Sequence, residues 1–139
     1  MDDAGAPAPP EGFEPVVSKG GFMIHNGPFY ERVRTDGVVE RCFWATPSHT
    51  NGFGLVHGGM MATFMDGLLA QAVVRGAGAR AVTVNLSLDY LRMARAGEWV
   101  MGEARLLRAA KDLAFAEGRA FVGVVDVVRA SGIFKLFRR

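Results

Sequence analysis

The sequence predicts an α+β fold in which one long buried helix is wrapped by a strongly curved antiparallel sheet. Three observations predict it. One stretch, Gly58 to about Arg75, is rich in helix formers, free of proline and apolar on almost every side. Four β-prone runs follow it, separated by short polar or glycine-containing turns. Two more precede it, joined by Asp36-Gly37. With 139 residues, half of them hydrophobic, the chain suits one domain with a real core, assigned to residues 16–139.

Residues 1–15 are rich in Ala, Pro, Gly and acid and are expected to form a disordered tail, too poor in apolar surface to order itself. Residues 16–30 contain Gly20-Gly21, Phe22-Met23-Ile24 and Asn26-Gly27-Pro28, a short lead-in whose apolar residues should cover something. Arg32–Thr35 and Val38–Ala45 should pair as a hairpin, with a type I′ turn and positive φ at both Asp36 and Gly37. Thr46–Val56 reads as a loop. In the helix, Met60, Met61, Phe64, Met65, Leu68, Leu69 and Val73 leave so little polar face that burial is expected on nearly every side, and Gly76 and Gly78 should end it.

Val82–Leu91 alternates, with Val82, Val84, Leu86, Leu88 and Tyr90 on one face and Thr83, Asn85, Ser87 and Asp89 on the other. That is the pattern of a half-buried strand. Trp99–Arg108, Leu113–Val122 and Val127–Phe137 should continue from it as a meander. An open sheet has edges, which pairing with a second chain commonly protects.

Charge and cysteine usage narrow the function classes. The net charge of +2 is too small to suggest a nucleic-acid partner. Residues 1–74 hold four Lys/Arg against eight Asp/Glu, and residues 75–139 hold twelve against six. An anionic ligand would therefore meet the second half more readily, unless those arginines merely solvate a sheet face. The single cysteine, Cys42, excludes an internal disulfide framework and multi-cysteine metal sites, and reads as a small buried hydrophobe. The sequence opens with Asp2-Asp3 rather than the basic start of a secretory leader, and no apolar run reaches the ~18 residues of a membrane span. A cytoplasmic protein without membrane or nucleic-acid partners is expected.

Two features could carry chemistry. Asp66 lies mid-helix between Met65 and Gly67, with Phe64, Leu68 and Leu69 nearby. A carboxylate there is either a satisfied structural group or a functional one, because burying its charge is costly. His57-Gly58-Gly59 opens the same helix. The first amides of a helix lack internal partners and sit at its positive end, so they can polarise a carbonyl. Alternatively, the two glycines only permit tight packing.

Gly58 and Asp66, eight residues apart, are separated by about 12 Å along one helix. One carbonyl carbon needs both groups within roughly 3 Å. If both act, two antiparallel helices from two chains must supply them. His57 could bond to the loop backbone or orient substrate or water. With His25 and His49 in loops without convergent spacing, no metal site is expected. Asn51 could be a turn residue, and Thr83 ordinary strand filler.

The run from Asn51-Gly52 through His57-Gly58-Gly59 to Asp66 closely resembles the signature of hotdog-fold acyl-CoA thioesterases of the phenylacetate-degradation (PaaI-like) branch. The resemblance extends from about Asn26 through Asp89-Tyr90-Leu91-Arg92 to Phe134. It implies a hotdog fold that hydrolyses acyl-CoA thioesters. Gly58 N–H would polarise the thioester carbonyl, and Asp66 of the facing subunit would act as general base or nucleophile. Asn51 would hold the water or carbonyl region, His57 the loop and thioester end, and Thr83 would position water. The assembly would be a homotetramer, a dimer of dimers, with no metal and no bound cofactor, coenzyme A being part of the substrate.

Gly59, Met60, Met61, Met65 and Phe22, with Phe29, are candidates for lining the acyl pocket, for an aryl-acyl or medium-chain group. Arg92, Arg108 and Lys111 are candidates for the coenzyme A phosphates. Met93 departs from the family pattern, which often has proline there. The same fold could instead serve as a non-catalytic acyl-CoA sensor or a dehydratase/hydratase, but the glycine opening with an acid deep in the helix matches the thioesterase layout better.

Overall fold

The computed structural model describes residues 5–138. It is the hotdog arrangement: a twenty-residue helix, α2 (Gly58–Ala77), lies against one seven-stranded antiparallel sheet. The elements run β1 (Glu14–Pro15), α1 (Gly21–Asn26), β2 (Tyr30–Val33), β3 (Val39–Trp44), α2, β4 (Arg80–Tyr90), β5 (Trp99–Ala109), β6 (Leu113–Val122) and β7 (Val125–Phe137). No helix among the described residues is long and apolar enough to cross a membrane.

The sheet order β1-β2-β3-β5-β6-β7-β4 corrects the expected four-strand meander. Of the four strands after α2, only β5, β6 and β7 are consecutive neighbours. β4 leaves the helix at the far side of the sheet and pairs with β7, so the chain must cross back before β5 pairs with β3. One edge of the sheet is therefore the two-residue β1 and the other is the eleven-residue β4.

The core follows from the helix. Phe64, Met65, Leu68, Leu69 and Val73 are fully buried against Val39, Phe43, Val100 and Phe134. Each such side chain stabilises by roughly 1.5–3 kcal/mol relative to exposure. Phe29 joins this cluster, stacked on Phe64 with centroids 6.1 Å apart, rather than lining an open pocket. Cys42 is buried, and desolvation pushes its thiol up to about 12, opposed by Arg32 and assisted by Glu40.

Burial is not all-round, however. Gly59 is exposed, and Ala62, Thr63, Asp66 and Ala70 are only half-buried. This face of α2 is left open because the sheet wraps only the opposite side.

Three local expectations change. The hairpin closes through Arg34 N–H to Val38 O and Gly37 N–H to Arg34 O, both 2.9 Å, and only Gly37 has positive φ (+89°). This is a type I turn with a glycine bulge, in which Asp36 keeps negative φ and its carboxylate accepts from Val38 N–H. At the helix end, Gly76 lies inside α2, and Gly78 supplies the left-handed cap (φ +63°).

The segment expected as a tail is docked over its second part. Phe13 is buried beneath the Arg32 guanidinium, 4.5 Å from its ring centroid, and Glu14–Pro15 pair with Glu31 and Tyr30. One aromatic ring gives this polar stretch an anchor that average composition hides. Residues 1–4 of the expected tail lie outside the described residues.

Candidate functional site

The loop before α2 is built to present the helix start. Pro47–His49 form a 3-10 turn, with Thr46 and His49 capping each other reciprocally. Asn51 closes the next turn: its side-chain carbonyl accepts from Phe53 N–H (2.9 Å) and Leu55 N–H (3.3 Å). The turn role weighed for Asn51 is thus its placement in this chain. His57 N–H donates to His49 O at 2.9 Å, tying the loop to the helix.

His57 is the N-cap of α2, and its Nδ1 accepts from Gly59 N–H at 2.8 Å. The Gly59 amide is therefore already satisfied. Gly58, the first helical residue, has no i−4 carbonyl within the helix for its N–H. Its carbonyl accepts from the Tyr90 hydroxyl at 2.7 Å. Tyr90, 32 residues away in sequence, is a partner of the helix start that the spacing of the motif does not reveal.

Asp66 lies two turns further on, on the open face of α2, and accepts from the Thr83 hydroxyl at 2.6 Å. The expected alternation of β4 would have pointed Thr83 away from the helix. A bulge between Thr83 and Asn85 reverses it. Ala81 and Thr83 pair with Leu136 and Phe134, whose side chains face the core, whereas after the bulge Leu86 and Leu88 take that side. Val82 and Val84, expected to be half-buried, are 57% and 60% exposed on the edge strand. The extra residue has one chemical consequence: it delivers a hydroxyl to Asp66.

The other candidates separate. Met60, Met61 and Met65 are buried in the core of the chain. Phe22, on α1, is 67% exposed, while its neighbour Met23 packs on the helix at Gly67. A side chain at Gly67 would meet Met23 Cε at 2.8 Å and Arg41 Nη1 at 3.0 Å. Arg41 itself is buried and ion-paired to Glu31 at 2.8 Å, a charged pair against the helix at Gly67 that sequence reasoning missed.

Arg92, Arg108 and Lys111 are all exposed. Arg92 follows β4 at the N-terminal end of α2, near Tyr90. Arg108 and Lys111 flank the β5–β6 turn at its C-terminal end, where Arg138 bonds to the carbonyls of Ala77 and Lys111. One chain does not bring the three together. Among the described residues, no three His, Cys, Asp or Glu side chains gather as a metal site.

Within one chain the two candidate groups therefore stand apart: an unpartnered amide at the positive end of α2, and a carboxylate held by a hydroxyl midway along it. A family model described as the thioesterase superfamily matches residues 53–128. The chain is 34% identical over 129 residues to the Pseudomonas aeruginosa protein named "Putative esterase PA0474", covering 91% of this chain and 96% of that one. It is 38% identical over 69 residues to acyl-coenzyme A thioesterase 13 of Mus musculus, about half of each chain (49% and 49%). Among solved structures, a phenylacetic acid degradation-related protein of Ralstonia eutropha JMP134 superposes with a TM-score of 0.75 at 27% identity, covering 85% of this chain and 92% of that one.

Proposed function

The chain belongs to the thioesterase superfamily, and on that premise we propose that it hydrolyses acyl-CoA thioesters at sites shared between two copies. The observation that carries this is the split site: Asp66 and the free Gly58 amide sit on one helix, about 12 Å apart by its rise. A second α2, antiparallel across the open face, brings the Gly58 amide of one copy to Asp66 of the other. Small residues on that face (Gly59, Ala62, Ala70) allow two helices to approach closely. The long, valine-bearing β4 edge is suited to pairing with its counterpart, which would extend the sheet across the two-fold axis.

The chemistry follows from these groups. Gly58 N–H hydrogen-bonds the thioester oxygen and stabilises the oxyanion. Asp66 of the other copy, oriented by Thr83, takes a proton as water adds to the carbonyl carbon; the C–S bond then breaks and the proton passes to the departing thiolate. Alternatively, the carboxylate attacks first and water cleaves the mixed anhydride. His57 stands at the thioester end, and Asn51 holds the loop that presents it. The acyl group is aryl-acyl or medium-chain, and the dimers pair into a tetramer working in the cytoplasm. Arg92 of one copy, with Arg108 and Lys111 of the other, would meet the coenzyme A phosphates.

The test is thiol release from aryl-acyl, short-chain and long-chain CoA esters by wild type, Asp66→Ala and Asp66→Asn, each checked for assembly. Turnover by wild type and a loss of about a thousandfold in both assembled variants is expected. Wild type that binds acyl-CoA without releasing thiol would replace the enzyme with a sensor.

A further inference from the structure

We infer that Tyr90 is a positioning residue of this site, holding His57 through the Gly58–Gly59 peptide group in the tautomer that carries its proton on Nε2. The inference rests on the proposed place of His57 at the thioester end.

One peptide plane is gripped at both ends. The Tyr90 hydroxyl donates to its oxygen, Gly58 O, at 2.7 Å. Its N–H, that of Gly59, donates to His57 Nδ1 at 2.8 Å. A ring nitrogen that accepts carries no proton, so the proton of the neutral imidazole must sit on Nε2. Donation into the carbonyl polarises the amide and strengthens its N–H as a donor at the other end. Tyr90 thus favours the same tautomer without touching the ring.

Ordinary satisfaction of polar groups does not account for the contact. Gly58 O already belongs to the i→i+4 ladder of the helix, and Tyr90, 55% exposed, has water available. The geometry is close as well. The Cβ position of Gly58 lies 3.4 Å from Tyr90 Oη and 3.5 Å from Cζ, so the phenol lies along the first turn. The Cβ position of Gly59 lies 3.0 Å from His57 Nδ1 and 3.2 Å from Cε1, so a side chain there would press on the imidazole. A Cβ at Gly58 would make ordinary contact with the phenol, whereas one at Gly59 would crowd the imidazole, so the second glycine is the one the ring requires. The result is an Nε2–H donor on a ring held by the first turn of α2.

The test is nitrogen-detected NMR of the imidazoles in the assembled protein, with steady-state kinetics on the same samples. Only three histidines need assignment. Wild type should show His57 as a single Nε2–H tautomer. Tyr90→Phe should populate the Nδ1–H form and lower kcat about tenfold with little change in KM. In a His57→Ala background, Tyr90→Phe should cost nothing further, because both act through one ring. A single Nε2–H tautomer retained in Tyr90→Phe overturns the inference, and so does a loss that persists undiminished without His57. If wild type releases no thiol from any ester, the proposed activity falls, while the spectra still decide whether Tyr90 sets the tautomer.

Discussion

The two ends of α2 are finished in opposite ways. At the C-terminal end the backbone is closed off within the chain. Gly78 N–H bonds to Val74 O, Arg138 reaches the Ala77 carbonyl, and Gly76 lies where a Cβ would come within 2.7 Å of Leu106. At the N-terminal end the groups point outward. Gly58 N–H has no helical partner, His57 and Tyr90 hold the flanking peptide, and Asp66 two turns on faces the uncovered side. On the proposed mechanism the same helix is structural where its orphan groups are satisfied and chemical where one is left free at the positive end of the dipole.

Removing the free donor should break that contrast most sharply. Gly58→Pro deletes one N–H where proline is well tolerated, at the first helical position, after a residue already extended (His57 φ −60°, ψ 138°). Activity should fall about a hundredfold with little change in melting temperature. A variant that melts early and recovers its rate per folded molecule would make Gly58 structural.

A smaller effect is expected at the carboxylate. Thr83→Val removes the hydroxyl on Asp66 and should lower kcat about tenfold, whereas Thr83→Ser should restore most of it. Equal losses in both would deny the hydroxyl a role.

The closed end should respond in stability alone. Gly78→Ala forces a side chain into the left-handed region and should destabilise by about 1 kcal/mol in denaturant titration, leaving kcat unchanged. Smallest of all, Cys42 should resist thiol reagents in the native protein near pH 8, since its thiol is buried and held up to about 12, and react promptly once unfolded. Rapid native labelling would mean that β3 opens readily.

Much of this contrast was legible from local pattern. The His57-Gly58-Gly59 opening, Asp66 and the left-handed Gly78 are set by neighbours within a turn or two. The contacts that complete the site are not. Thr83 reaches Asp66 across 17 positions and Tyr90 reaches Gly58 across 32. The periodicity of β4 placed Thr83 on the wrong face, since alternation read along one strand cannot register a bulge that exists only relative to β7. The anchoring of Phe13 was hidden similarly, because its partner Arg32 belongs to another strand.

The sequence alone determined the helix, nearly all the strands and the resemblance that names the chemistry. Those rest on propensity, periodicity and short motifs, which are properties of adjacent residues. The tertiary structure decided the strand order, the face that Thr83 shows, the open side of α2 and the clamp of Tyr90 on Gly58. Each depends on which distant backbone closes a hydrogen bond, and sheet pairing and helix docking settle that only when the whole chain packs.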